Sequence, residues 1–384
     1  MNKKLSLIIA LAMSITISSP SLAASTNAVT TPQTTITDTV NLSTNFTLEE
    51  ALNSIEKYNT SIQLMDQKLI LLNKQYDYDH QNAIDADKML YSVNKNENLY
   101  ISLKQAIEIK PQQSAQAVKD AKHEKEDALK ALKFNMKRQY MNVINYQDQI
   151  TNINNSISNI DKQIEKVNNL IKQGMATSSD LQQLNVQRSQ LVAALNGPKA
   201  LIEQSVLTVK QILNTDLNAN LTLAPAKIDF VKFDDSNIEA RINKSIEDDY
   251  DLANINRNIE WAKMNVDLNT KYGHNNTTGL VNAQLNLQNA INTLDDTTLK
   301  LKIRAWSSYY NMKNKEDSIT AEQINLQNAR ENYNNASAKF EVGQVDQLEV
   351  YSKKLALEKE ELTVQNLVND YMVTVEEFKD LLGE

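Results

Sequence analysis

No cysteine occurs among the 384 residues, and only 6 glycines and 5 prolines. The missing cysteines exclude a disulfide framework, a thiol nucleophile and a lipid-modified N-terminal cysteine. So few glycines and prolines argue against a sheet-rich fold with many tight turns. Aromatic residues make up 6% of the chain, and acidic residues outnumber basic ones, 48 to 40. That balance disfavours nucleic acid and anionic lipid as partners. Long apolar runs are also missing. The longest is Leu5–Ile17, thirteen apolar-biased residues, where a membrane-spanning helix needs about 20.

What is present begins with a signal pattern. Lys3 and Lys4 precede that apolar stretch, and Ser21-Leu22-Ala23 supplies small residues for cleavage. Residues 1–23 therefore read as a cleaved export signal, which leaves 38 basic against 48 acidic residues, a net −10. Residues 24–45, rich in Thr and Ser without periodicity, read as a flexible leader.

The rest of the chain matches itself. At a shift of 309 − 140 = 169 residues, Tyr140 meets Tyr309, Asp148 meets Asp317, Gly174 meets Gly343, and VKQILN (209–214) meets FKDLLG (378–383). Earlier in each half the shift is 238 − 48 = 190, with Leu48 on Ile238 and Ile62 on Leu252. The difference, 190 − 169 = 21, is an insertion in the first half between about 79 and 134. The expected organisation is one helical repeat over 46–216, a linker over 217–235 and a second repeat over 236–384.

Within the repeat the period is that of a coiled coil. Ile150, Ile153, Ile157, Ile160, Ile164, Val167 and Ile171 alternate spacings of three and four. Ile319, Leu326, Ala329, Tyr333, Ala336 and Phe340 repeat the register, with Glu322 breaking one position. A seam this regular predicts helices packed lengthwise. Nothing breaks the helix between Gln112 and Gln173, a length of about 90 Å at 1.5 Å per residue. Gly197-Pro198 predicts an interruption in the next helix of the first repeat.

Gly174 and Gly343 stand just past those seams. Glycine there can take the left-handed conformation that closes a helix. Thr177 and Asp346 follow as N-caps, with Asp180 and Glu349 three residues later in capping-box spacing. Two long apolar-striped helices joined by so short a link form an antiparallel hairpin, with the glycines at its tip. The expected fold is all-α, built from a duplicated unit of long antiparallel coiled-coil hairpins with little or no β structure.

The order and duplication of these features resemble the TolC family of outer-membrane efflux proteins, over about residues 46–384. FTLEEALNSIEKYNTSI (46–62) is similar to the family's opening helix, and both tips carry a G-x-x-[T/D]-x-x-[D/E] pattern. The resemblance implies a homo-oligomer, a trimer in that family, whose helical barrel extends from a β-barrel in the outer membrane. It implies partners as well, a membrane-fusion-type adaptor and an inner-membrane ABC-type permease. Gln173, Gly174, Met175, Val342, Gly343 and Gln344 would then dock the adaptor, and Asp180 and Glu349 would line an entrance in addition to capping their helices. The location implied is the cell envelope: outer membrane and periplasm, or the outer face of the cytoplasmic membrane where there is no outer membrane.

The barrel is where the chain departs from the family. In the place of the family's strands, the second repeat has only residues 268–282, without alternation. The first has residues 88–105, which alternate as a hairpin would, with Met89, Tyr91 and Val93 facing Leu99, Ile101 and Leu103. Arms of about five residues are half of the 9–11 that a membrane strand needs. A barrel-less coiled-coil scaffold or interaction protein at the cell surface, with no conduit, is the alternative.

Catalysis is not expected. No phosphate-binding glycine loop, zinc spacing or nucleophile motif occurs, so no cofactor or metal is implied. His80, His123 and His274 have no second ligand at helical spacing and should be exposed. Trp306, beside Tyr309 and Tyr310, reads as a packing residue. KHEKEDALKALK (122–133) reads as a solvated charged face with Glu126 and Lys130 paired.

Overall fold

In the structure, a computed structural model, residues 46–93 and 96–384 are described. The expected signal segment and leader lie outside them. The described residues form ten helices: α1 (Leu48–Tyr58), α2 (Thr60–Leu90), α3 (Glu97–Glu108), α4 (Lys110–Lys172), α5 (Ser178–Ala194), α6 (Asn196–Ile212), α7 (Ile238–Glu247), α8 (Tyr250–Tyr272), α9 (Thr277–Glu341) and α10 (Gln347–Leu382). Among the described residues there is no β-strand, and Phe46 forms an isolated parallel bridge with Leu223. No helix in that range is long and apolar enough to cross a membrane. The all-α fold is as the periodicity predicts.

α4 and α9, of 63 and 65 residues, run the length of the molecule. Pro111 sits in the first turn of α4, where its missing N–H removes no helical bond. Along part of its length α4 is flanked by α2, and further on by α5 and α6. α9 is flanked in the same way by α8 and α10, while α10 also packs on α4 and joins the two sets. That leaves α2, α5 and α6 outermost on one side and α9 on the other.

The helix breaks follow from local chemistry. Between α1 and α2 the Asn59 side chain accepts from the N–H groups of Ser61 and Ile62 and donates to the Ile212 carbonyl at 2.8 Å. Asp249 caps α8 in the same manner, accepting from Leu252 N–H. Ahead of Gly197-Pro198 a single residue, Leu195, separates α5 from α6, whereas α10 runs unbroken through the corresponding stretch.

Two cores form where a short helix covers the long ones. Ala51, Ile55, Met136, Tyr140, Val209 and Leu213 meet at the junction of α1, α4 and α6. Ile242, Met312, Ile319, Tyr371 and Phe378 do so for α7, α9 and α10. Each large aliphatic side chain, methionine or phenylalanine among them contributes about 1.5–3 kcal/mol on burial. A buried amide pair links α4 to α10, with the Asn369 side chain donating to that of Asn145 at 3.1 Å. Around it lie the ion pairs Lys137–Glu376 at 2.6 Å and Arg138–Glu377 at 2.7 Å.

Several sequence expectations need correction. The 88–105 stretch is not a hairpin. α2 runs to Leu90, and α3 starts after Asn96, whose side chain caps Leu99 N–H. Ile101 is buried in α3 and packs with Ile109 against Leu268 of α8; a strand pairing is replaced by helix packing. His123 is not exposed but half-buried, its ring stacked on Tyr250 at 4.0 Å and its Nε2 3.3 Å from Asp127. Lys130 reaches across to Asp380 of α10 at 2.7 Å rather than along its own helix to Glu126. In the seam Ile160 is buried, while Ile157 and Ile164 are half-buried. Trp306 does pack, stacked on Tyr310 and edge-on to Tyr309.

Candidate functional site: the paired hairpin tips

At the end of α4 the chain closes with two crossed bonds, Met175 N–H to the Leu170 carbonyl and Gly174 N–H to the Ile171 carbonyl, both 2.9 Å. At the end of α9, Gln344 N–H bonds to the Lys339 carbonyl at 2.9 Å and Gly343 N–H to the Phe340 carbonyl at 3.0 Å. This double closure needs a left-handed residue at its centre. Gly174 has φ +74° and Gly343 φ +72°, and a Cβ on either would meet nothing within 4 Å. The requirement is therefore one of backbone conformation, not of space.

The returning helices start three residues later. Thr177 Oγ1 accepts from Asp180 N–H at 3.3 Å, and the Asp180 carboxylate accepts from Thr177 N–H at 2.9 Å. The carboxylate also accepts from the Thr177 hydroxyl at 2.8 Å, and these two bonds to it, backbone first and then hydroxyl, hold the Asp180 carboxyl below the ordinary aspartate range. The second tip has half of this box. Asp346 accepts from Glu349 N–H at 2.9 Å.

All six tip residues, Gln173, Gly174, Met175, Val342, Gly343 and Gln344, are exposed. Met175 is 75% and Val342 69% accessible, so each turn presents an apolar side chain to solvent with no intrachain cover.

The two tips stand side by side. The Tyr351 hydroxyl of α10 contacts the side chain of Asn159 and donates to the Asn155 carbonyl of α4 at 3.1 Å. Between α4, α5 and the start of α10 lies a cleft of about 340 Å³. Val167, Leu170 and Leu184 supply its apolar lining, and Gln163, Lys166, Asp180 and Asp346 are among its polar residues. The carboxylate brought to the same cleft as Asp180 is thus Asp346; Glu349 does not line it and is exposed. Sequence reading missed Tyr351, which fixes the two hairpins together, because a lone tyrosine in a polar helix carries no pattern.

Among the described residues no group of three potential metal ligands comes together. The arrangement is suited to receiving a polypeptide: a shallow apolar lining, amide and carboxylate groups around it, and exposed Met175 and Val342 beside it.

No protein-family model matches the sequence, and no curated protein matches it. Solved structures do. CusC, described for conformational changes accompanying folding and transmembrane channel formation, is 13% identical, with a TM-score of 0.62 over 87% of this chain and 91% of that one. The Campylobacter jejuni CmeC outer membrane channel is 14% identical, with a TM-score of 0.58 over 88% of this chain and 85% of that one. The outer membrane protein VceC from Vibrio cholerae is 10% identical, with a TM-score of 0.56 over 87% and 94%. At these identities the likeness is one of fold. The TolC-like helical fold that the sequence resemblance implies is the fold of this chain.

Proposed function

We propose that this protein is a non-enzymatic cell-envelope component of an efflux or export system, organised as two repeats of one helical hairpin unit and working as a ring of identical copies. Its paired tips dock the helical hairpin of a membrane-fusion-type adaptor, which connects it to an inner-membrane ABC-type permease. The observation that carries this reading is the side-by-side placement of two uncovered glycine tips on a fold shared with outer-membrane channels. Gln173, Met175, Val342 and Gln344 are the contact residues in this reading, and Asp180 with Asp346 gives the cleft its negative charge.

Ring assembly has its own support. Apolar side chains stand uncovered on both outer sides of the molecule: Ile70, Leu71 and Leu201 on α2 and α6, and Leu299, Ile303 and Ile324 on α9. Two different apolar sides on one chain suit a head-to-tail contact, the kind that forms a ring where the rotation between copies closes. Three copies are the number in the TolC family.

Photocross-linking from position 344 in the native host tests the docking role. Capture of an adaptor-type membrane-fusion protein is the expected result. No cross-link in cells that make such an adaptor counts against docking and returns the protein to the role of an envelope scaffold.

A further inference from the structure

The structure keeps the 169-residue register of the duplication. α4 ends at Lys172 and α9 at Glu341, and 341 − 172 = 169. Buried Met136 and Val143 of α4 have buried counterparts in Ala305 and Met312 of α9, and buried Val209 of α6 has Phe378 of α10. Each contact between the two repeats of one chain therefore marks a second, counterpart pair of positions.

Within the chain the repeats meet along α4 and α10, and that seam is ionic. Lys130 pairs with Asp380 at 2.7 Å, Lys137 with Glu376 at 2.6 Å and Arg138 with Glu377 at 2.7 Å. Their counterparts, 169 residues on from α4 and 169 back from α10, are Leu299 with Gln211, Trp306 with Leu207, and Ser307 with Thr208. Six charged positions have become six uncharged ones. These counterparts lie on α9 and α6, the opposite outer sides of the molecule, where Leu299 is 58% and Leu207 46% exposed. The same exchange recurs nearer the start of the long helices. Trp261 of α8 donates to Gln112 of α4 at 3.2 Å, and the counterparts, 261 − 190 = 71 and 112 + 169 = 281, are exposed Leu71 and Val281.

We infer that α6 of one copy lies on α9 of the next in the register that α10 takes on α4, so that Leu207 meets Trp306 and Gln211 meets Leu299 across the seam between copies. This seam presupposes the ring proposed above and fixes its register and its chemistry. Each chain joins its own repeats through ion pairs and joins its neighbour through apolar contact. The difference also excludes wrong pairings. α6 of another copy laid on α4 would set Leu207 and Thr208 against Lys137 and Arg138, and α10 laid on another copy's α9 would set Glu376 against Trp306. Either arrangement closes charges into a seam without partners.

Because the chain has no cysteine, introduced cysteines test the register without background. The full mature chain carrying Gln211→Cys and Leu299→Cys, both at exposed positions, is treated with a short bismaleimide. Covalent multimers on a denaturing gel are expected, and a mixture of the two single variants should give dimers and nothing larger. Gln211→Cys with Tyr310→Cys, 310 − 299 = 11 residues and about 16 Å further along the same helix, should link at least about tenfold less. An apolar seam should also hold in about 1 M salt, where exposed charges are screened beyond about 3 Å. Sedimentation of the wild type separates the two ways of failing. Oligomers without the 211–299 link, or with an equal 211–310 link, overturn this register and leave the ring. Oligomers that dissociate in salt overturn the apolar seam, and monomers at every concentration overturn ring and register together.

Discussion

The Tyr140 hydroxyl lies 2.8 Å from the Phe46 carbonyl and 2.7 Å from the Ala224 carbonyl, and so ties α4 to both the entry segment and the linker. Phe46 also exchanges backbone bonds with that linker, its N–H to Thr222 at 2.9 Å and its carbonyl from Ala224 at 3.0 Å. Burial, the larger influence, raises the Tyr140 phenol, so the group stays a neutral donor. Tyr140→Phe keeps the ring in the core and removes the hydroxyl, leaving the Ala224 carbonyl short of a donor. The expected cost is about 1–2 kcal/mol, read as a lower midpoint in urea with an unchanged m-value. A midpoint equal to that of the wild type refutes the tie.

In the second core the Glu316 carboxylate, 8% exposed, sits 3.0 Å from Lys313 and 3.1 Å from Lys232. Burial pushes this carboxyl up, but the bonds and charges of Lys313 and Lys232 outweigh it and hold it below the ordinary glutamate range. A depressed carboxyl stabilises the fold above its unfolded value, and that stabilisation is lost as pH falls through the folded one. Glu316→Gln should therefore melt below the wild type at neutral pH, by about 1–3 kcal/mol. The gap should close in acid. A gap that is constant with pH would mean that shape, not charge, is what the substitution removes.

Much of this architecture is legible in the sequence because the rare residues are the informative ones. Gly174, Gly343 and Gly383 interrupt otherwise helical sequence, and all three have positive φ. Asn214, 383 − 169 = 214, takes the same conformation at φ 49° where the other copy has glycine. The errors came where short-range patterns are ambiguous. Leu99, Ile101 and Leu103 alternate as in a strand, yet the cap at Asn96 and the Lys104–Glu108 pair at 3.0 Å belong to a helix. An apolar run this short cannot be assigned by period alone. The pairing of Asp180 with Asp346 at one cleft was not legible, since it depends on how α10 is staggered against α4. No spacing within either half encodes that stagger.

Gly343→Val tests whether the tip conformation matters apart from the helices. At φ +72° a β-branched residue is strained, while the space around it is open, so the cost is about 1–2 kcal/mol and confined to the turn. The seams that hold α9 on α10 are untouched. Circular dichroism should show wild-type helicity and nearly wild-type melting, with cross-linking to an adaptor from position 344 lost. Intact cross-linking in this variant would remove the tip from the docking surface.

The uncovered sides of the molecule give the last prediction. Ile303 on α9 is 60% exposed and Leu71 on α2 is 66% exposed, although both are large and apolar. Neither has intrachain packing to lose, so a charge at either position should leave the monomer's stability within about 0.5 kcal/mol of the wild type. In a head-to-tail ring each would be buried against the next copy, and an unpaired charge there costs several kcal/mol. Ile303→Glu and Leu71→Glu should each turn an oligomer into monomers on sedimentation, with unchanged melting of the isolated chain. Because the contact is between two different sides, mixing the two variants should restore one contact and stop there: a chain altered at 303 keeps its 71 side, and the reverse. Dimers in the mixture, with monomers from each variant alone, identify the ring contact. Wild-type oligomers from both variants would place self-association elsewhere on the molecule.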